Sequence, residues 1–405
     1  MKRTRRNPGQ KKRQNRTVKL AILTDGIYPF VIGGMQKHSY YLARFLAGLG
    51  VDVTLVHCVP HGKPLPDEAE VKAKLEIAED AKFRSICLHF PQAGSMPGHY
   101  LKESYAYSVK VRAALGEALH GFDFIYIKGY AGWDLLRQKE RGKKLPPLGV
   151  KFHGYEMFQQ APSFKVKLQH WLLRGPTKYN NKFADVVFSY GGYITPLVQQ
   201  IGVPAERIIE IPTGIEASWV RDAVPASGTK RKFLFIGRFE RRKGVEELNS
   251  VLEKLASRDD FEFHFVGPIP PTRHINSDAI TYHGKVMEKD KLQAIVDDCE
   301  VLVTPSHSEG MPNVIMEGMA RGLAVIATDV GAVPSQVDEV NGWRLTPGDA
   351  EVLETAMLEA IAMDGTALDQ KRQASQQRVL DQFTWEQVSA QTLEALNAYL
   401  QSRKR

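Results

Sequence analysis

At 405 residues, with 43% hydrophobic and 25% charged side chains, the chain has the make-up of an ordinary globular protein long enough for two domains, which excludes fibrous, disordered and membrane-spanning classes. The net charge of +8 resides in the first 16 residues, where Lys2, Arg3, Arg5, Arg6, Lys11, Lys12, Arg13 and Arg16 are eight cations without an acid among them, so that the remainder is near neutral. A basic arm over residues 1–16 attracts polyanions weakly and generally; a solvated tail and an anionic membrane surface both fit it, and nucleic acid is not expected as a partner.

Strand-like residues follow the arm directly, so a secretory signal is not expected. The apolar runs fall far short of the roughly 20 residues of a membrane helix. Cys58, Cys87 and Cys299 are unevenly spaced and form no CxxC, which argues against a disulfide framework and a zinc site and suits a reducing cytoplasm.

In chain order, VKLAIL from Val18 reads as a buried strand, Gln36 to Gly50 as an amphipathic helix, and VDVTLVHC from Val51 as a second strand, together a βαβ unit. Strands follow near Phe83 to His89, Phe122 to Ile127, Gly149 to His153 and Val186 to Ser189, with a helix from Tyr100 to Leu119. The stretch from Phe164 to Arg174 places Phe164, Leu168, Trp171 and Leu172 at helical spacing beside Lys167, His170 and Arg174. Core packing is the plain reading of that stripe, and the alternative is a helix lying on an anionic leaflet.

A second series opens after Ile211 to Glu216: strand KFLFIG, helix Gly244 to Ala256, strands FEFHFVG and AITYHG, helix Glu288 to Asp298, strand VLVTP, helix Pro312 to Ala320 and strand AVIAT. The expected fold is therefore α/β, with two Rossmann-like, doubly wound parallel-sheet domains facing across a cleft. Residues 17–215 form the first, 216–380 the second, and residues 381–405 are expected to supply a closing helix that packs back towards the first.

The segment SHSEGMPNVIMEGMARGLAVIATDVGAVPSQV, Ser306 to Val337, carries the most chemistry. Glu309 lies in a loop after a strand, Pro312 suits a first helical turn, and Glu317 falls inside the helix. Strand ends in open α/β sheets border the ligand crevice, and backbone amides of Gly310, Met311 and Asn313 at a helix start attract phosphate or sugar hydroxyls. Upstream, FLFIGRFERRKGVEEL sets Arg238 and Lys243 just past a strand, where two cations can stabilise the negative charge of a departing diphosphate. VIGGMQKH places Gly33 and Gly34 between the first strand and its helix, where the missing side chains permit close approach of backbone to ligand. KFHGYE puts His153 at another strand end.

The pair of glutamates eight positions apart, with the small-residue helix, AVIAT strand and DVGAVP loop behind it, resembles the donor-binding signature of glycosyltransferase family 4, which has the GT-B fold. The resemblance implies a retaining, metal-independent enzyme that takes a hexose from a nucleotide diphosphate sugar, UDP- or GDP-linked. It implies that Glu309 binds hydroxyls of the donor sugar, that Glu317 binds the ribose, and that Arg238 and Lys243 bind the diphosphate. It places Gly33 and Gly34 beside the acceptor and transferred group, His153 near the reaction centre, and Val286, in TYHGKV, near the base. The acceptor is expected to be a glycan or a lipid-linked glycan of cell-envelope polysaccharide or lipopolysaccharide synthesis. The expected location is the cytoplasm or the inner face of the cytoplasmic membrane. Two other readings stay open: a sugar-nucleotide epimerase of the same architecture, and a non-enzymatic polyanion-binding protein. No cofactor is expected, and neither an Asp-x-Asp metal segment nor a P-loop is present.

Overall fold

A computed structural model describes residues 17–403 apart from 93, 95–97, 160 and 162–163; the basic arm therefore lies outside the described residues. The first domain alternates β1 (Lys19–Leu23), α1 (Gly34–Gly48), β2 (Asp52–Val59), α2 (Glu68–Lys74), β3 (Phe83–His89), α3 (His99–Leu115), β4 (Phe124–Lys128), α4 (Trp133–Glu140), β5 (Leu148–Lys151), α5 (Phe164–Phe183), β6 (Val186–Ser189), α6 (Ile194–Gln200) and β7 (Ile208–Glu210). The second runs β8 (Arg231–Ile236), α7 (Val245–Leu255), β9 (Phe261–Val266), β10 (Ile280–Tyr282), α8 (Lys289–Asp297), β11 (Val301–Thr304), α9 (Asn313–Ala320), β12 (Ala324–Thr328), α10 (Val333–Gln336), β13 (Gly342–Leu345), α11 (Ala350–Ala362) and α12 (Gly365–Arg378). The chain closes with α13 (Trp385–Ser402).

Strands β4, β6, β11 and β12 are buried along their whole length, as parallel strands covered by helices on both faces must be. All pairings are parallel, in the orders β3-β2-β1-β4-β5-β6-β7 and β10-β9-β8-β11-β12-β13. Strand order reverses between β1 and β4 in one sheet and between β8 and β11 in the other, and a crevice opens beyond the carboxyl ends at each reversal. The loops after β1, β4 and β5 and those after β8 and β11 are therefore the segments placed to meet a ligand.

One apolar cluster runs from Leu135 and Val150 of the first domain through Met311 to Ile315 and Val325 of the second, so the two halves touch through packed side chains. The chain crosses between them twice. Near those crossings Ile215 donates its amide to the Phe383 carbonyl at 2.7 Å, and the Trp385 amide returns to the Ile215 carbonyl at 3.0 Å. Helix α13 then lies against α1, with Trp385 stacked on Tyr41 at 5.4 Å between centroids and edge-on to His38 at 5.1 Å.

Several expectations shift. Helix α1 spans Gly34–Gly48 rather than Gln36 to Gly50, because Gly50 turns the chain with φ +82°. Helix α3 gives way at Leu115 to a 3-10 turn over Gly116–Gly121. Pro312 is not in the first turn of α9 but caps it, with φ −71° and ψ 117°. The stripe on α5 does not pack into the core: Phe164, Leu168 and Trp171 are 83%, 55% and 66% exposed. Strands β7 and β13 and helices α2, α4, α6, α10, α11 and α12 stand where no element was expected.

Candidate active site

The loop between β8 and α7 holds the cations. Gly244 ends it at φ +67°, and a Cβ there would stand 1.9 Å from the Pro305 carbonyl oxygen. Only glycine lets this loop lie flat on the loop that follows β11. That contact presses Lys243 against Glu309, with Nζ 2.5 Å from Oε1 and both side chains largely buried. Arg242 stands 3.8 Å from the other carboxylate oxygen of Glu309 and is held at 2.9 Å by Glu240. Arg238 turns outward instead, 68% exposed, and pairs with Glu240 at 3.0 Å.

Glu309 is fixed from behind by glycine. Gly331, at φ +56°, lets its loop pass so close that a Cβ would come within 2.2 Å of the Glu309 carbonyl oxygen, and the Ala332 amide donates to the Gly310 carbonyl at 2.7 Å. From the first domain, Gln159 Nε2 donates to the Glu309 carbonyl at 3.0 Å. A Cβ on Gly310 would lie 2.4 Å from the His153 carbonyl oxygen, so the loop bearing Glu309 meets the end of β5 backbone to backbone.

His153 looks across the same gap. Its Nδ1 is 3.0 Å from the Tyr190 hydroxyl, and its Nε2 would be 3.0 Å from a Cβ on Gly34, with Asn313 Nδ2 3.8 Å from that position. Thus Gly34 and His153 of the first domain and Gly310 and Asn313 of the second converge on one spot, with Lys243 and Glu309 beside it. Gly33 caps α1 in an extended conformation.

Other expected residues fall elsewhere. The Met311 side chain is buried and takes the Thr213 amide on its sulfur at 3.3 Å, so it packs the boundary between the domains. The Pro312 carbonyl accepts from Gln336 at 3.2 Å. Glu317 lines a small cavity with Lys37, His38, Asn313 and Trp385. Desolvation raises its pKa and Lys37 opposes that shift. Val286 packs on the edge of the core after Gly284 at φ +66°. There the loops after β8, β9 and β10 stack, since a Cβ on Gly267 would stand 1.8 Å from the Gly237 carbonyl oxygen and the Gly267 amide donates to the Gly284 carbonyl at 2.8 Å.

Beneath His153 lies a cluster that the sequence reading did not include. Lys128 and Lys151 end β4 and β5 as register partners, both fully buried. Lys151 donates to the Ile211 carbonyl at 2.6 Å and lies over the Tyr190 ring, 4.1 Å from its centroid. Burial drives Lys128 down to about 7, with Asp25 opposing, and drives Lys151 well below its ordinary value. Burial first, then the two lysines, push His153 down to about 3, so the imidazole stays neutral at any physiological pH. His38 is depressed for the same reasons. Asp25 goes the other way, up to about 6 through burial, with its backbone, Gln36 and Lys128 pulling back. The signal for this cluster was a lysine ending each of two apolar strands, FIYIK and LGVK.

Beside it, over the ends of β1, β2 and β3, opens a cavity of about 710 Å³ walled by Phe90 and Tyr100 and edged by the polar Asp25, Gln36, His61 and Gln92. Aromatic faces with scattered hydrogen-bonding groups suit the apolar faces and hydroxyls of a sugar. Among the described residues no cluster of three His, Cys, Asp or Glu is disposed to hold a metal ion.

Comparison with known proteins bears on both halves. The family model described as Glycosyltransferase Family 4 matches residues 32–219, and that described as Glycosyl transferases group 1 matches 230–363. A phosphatidyl-myo-inositol mannosyltransferase of Mycolicibacterium smegmatis is 29% identical over 378 residues, 90% of this chain and 89% of the relative. A glycosyltransferase assigned to colanic acid biosynthesis in Salmonella typhimurium is 22% identical over 287 residues, 66% of this chain and 68% of the relative. Among solved structures, the HepE protein of Anabaena in complex with UDP and glucose superposes with a TM-score of 0.64 at 17% identity, over 94% of this chain and 100% of that one.

Proposed function

The chain belongs to glycosyltransferase family 4 and has the GT-B fold, and from that premise we propose that it is a retaining, metal-independent hexosyltransferase that uses a UDP- or GDP-sugar in cell-envelope polysaccharide or lipopolysaccharide synthesis. The observation that carries the reading is the Lys243–Glu309 pair, held against the His153 backbone where both sheets reverse their strand order.

The pair is a poised exchange. A bound sugar diphosphate draws Lys243 to its phosphates and frees Glu309 to accept hydrogen bonds from the sugar hydroxyls. As the bond between the anomeric carbon and the phosphate oxygen breaks, Lys243, Arg242 and the outward-turned Arg238 offset the growing charge in place of a metal ion. The acceptor hydroxyl attacks from the same face and passes its proton to a phosphate oxygen of the departing nucleoside diphosphate, so the anomeric configuration is kept. Neutral His153 contributes a hydrogen bond there without adding charge. The two glycine positions at the convergence, Gly34 and Gly310, keep the gap narrow and exclude water.

Glu317 and Val286 take the nucleoside end, and the cavity over β1 to β3 takes the glycan or lipid-linked acceptor. The colanic acid relative supports an envelope polysaccharide, the phosphatidyl-myo-inositol mannosyltransferase supports a lipid-linked acceptor, and the Anabaena complex supports UDP; we place the chemistry in the cytoplasm or on the inner face of the cytoplasmic membrane. Incubation of the full chain with a panel of UDP- and GDP-hexoses tests the reading through donor-dependent thermal stabilisation, slow hydrolysis, and NMR of the product anomer. An inverted anomer overturns the retaining mechanism, and a panel with neither stabilisation nor hydrolysis overturns the transferase assignment for these donors.

A further inference from the structure

We propose that the amino-terminal half of α5 is a docking surface for an anionic lipid leaflet. Phe164, Leu168 and Trp171 follow one another at intervals of four and three, so they share one face of the helix, and each is more than half exposed. A helix that met only water would not set a phenylalanine, a leucine and a tryptophan side by side on its outer face. The carboxyl-terminal half of the same helix is anchored: Thr177, Asn180 and Asn181 are buried, and Thr177 meets the Tyr130 hydroxyl at 2.7 Å. The stripe therefore projects from a rigid base.

Charge selects the occupant. From Phe164 to Phe183 the sequence holds five lysines and arginines and no acid. Exposed Lys167 sits beside the stripe, and exposed Lys178 continues its face one heptad beyond Trp171. Two copies of this acid-free helix would repel each other on contact, whereas an anionic leaflet offers hydrocarbon for the rings and phosphates for the ammonium groups. The cationic arm at residues 1–16 supplies a second attraction of the same sign.

The surface is also placed to matter. Arg174 of α5 donates to the Met157 carbonyl at 2.7 Å, and two residues on, Gln159 bonds the backbone of Glu309. A leaflet seated on the stripe would bring lipid headgroups to the mouth of the crevice. This inference rests on exposure and charge, so it holds independently of the transfer chemistry.

Sedimentation of the full chain with vesicles of phosphatidylcholine, with and without phosphatidylglycerol, tests it. Retention should require phosphatidylglycerol and weaken with salt, and the double variant Leu168→Glu/Trp171→Glu should lower the partition by about tenfold or more, with the melting temperature unchanged. Should that variant fold poorly, Trp171→Leu offers a second route, because it should still bind while losing the quenching of tryptophan fluorescence by brominated lipid. Equal retention of the parent and the double variant, equal retention on pure phosphatidylcholine, or complete loss on deleting residues 2–16 alone overturns the proposal. So does a stripe variant that converts a dimer to a monomer without changing vesicle retention, an outcome that would assign the face to a second copy of this chain.

Discussion

The two walls of the crevice treat charge in opposite ways. On the first domain Lys128, Lys151 and His38 are buried and His153 and Asp25 half-buried, and desolvation shifts each of them towards its neutral form. On the second domain the charged groups are matched in pairs, the exposed Arg238 and the half-buried Arg242 with Glu240, Arg241 with Glu247, and the largely buried Lys243 with Glu309. The solvent-exposed pair of Arg238 with Glu240 costs little to break, because either partner finds water in exchange, whereas the largely buried Lys243–Glu309 pair opens only when an incoming polyanion gives Lys243 a new partner. A desolvated wall on which His153 is neutral, and whose Lys128 and Asp25 are drawn to about 7 and about 6, instead offers hydrogen bonds in a medium of low dielectric constant. The wall of paired cations thus suits a diphosphate, and the desolvated wall around neutral His153 suits a sugar hydroxyl.

The comparison can be broken most forcefully at Lys243. Lys243→Ala should cut turnover by about 100- to 1000-fold, as loss of a group that stabilises transition-state charge does; a steady-state kcat near that of the parent would mean the pair is only structural. Gly244→Ala should destabilise the chain by about 2 kcal/mol or more, visible as a lower urea midpoint, because its Cβ has no room at the Pro305 carbonyl and its φ is left-handed. Glu309→Gln should slow turnover at least about tenfold, roughly 1.4 kcal/mol of barrier, and unaltered kinetics would remove Glu309 from the reaction.

The desolvated wall is tested by pH. Lys128 binds its proton with a folded pKa of about 7 against an ordinary 10.5, so between those values the unfolded chain holds more protons and stability rises with pH. Lys128→Met should flatten that slope and, at neutral pH, stabilise the fold by about 1 kcal/mol or more, read from urea titrations across the window. Asp25 has the opposite sign: its pKa is raised from 3.8 to about 6, so its contribution falls as pH climbs through that interval. The smallest effect belongs to Tyr193→Phe, which removes an exposed 2.7 Å hydrogen bond to Asp329 across the cleft and should cost no more than about 0.5 kcal/mol in the same titration.

Much of the second domain was legible because β8, β9 and β11 are short runs rich in apolar residues, each followed directly by Gly or Pro, and the Ser306–Val337 stretch ties its acids to a recognisable strand, helix and loop order. The convergence of Gly34, His153, Gly310 and Asn313 was legible only as separate fragments, since they come from three connections far apart in the chain and meet at glycines whose close approach side-chain identity does not advertise. Arg242 could not be told from Arg241 or Arg238 in sequence, because the 3-10 turn Arg241–Lys243 alone decides which cation turns inward. Lys128 and Lys151 escaped notice because a lysine at a strand end reads as the start of a solvated loop. Strands β7 and β13 are edges of three and four residues, too short for alternation to register. The stripe on α5 has the periodicity of a core helix, and periodicity says that a face is apolar without saying what covers it.

The hydrogen bonds joining Ile215 to Phe383 and Trp385 have a mechanical meaning. Both passages of the chain between the halves run side by side there, laced into a two-strand hinge, so one half can swing on the other only by flexing both strands together. With Trp385 wedged beside His38 at that pivot, the last eighteen-residue helix behaves as a lever fastened to the first domain. Trimming the chain before residue 385 would therefore free the swing as well as shorten the protein, loosening the register in which the two walls of the crevice meet.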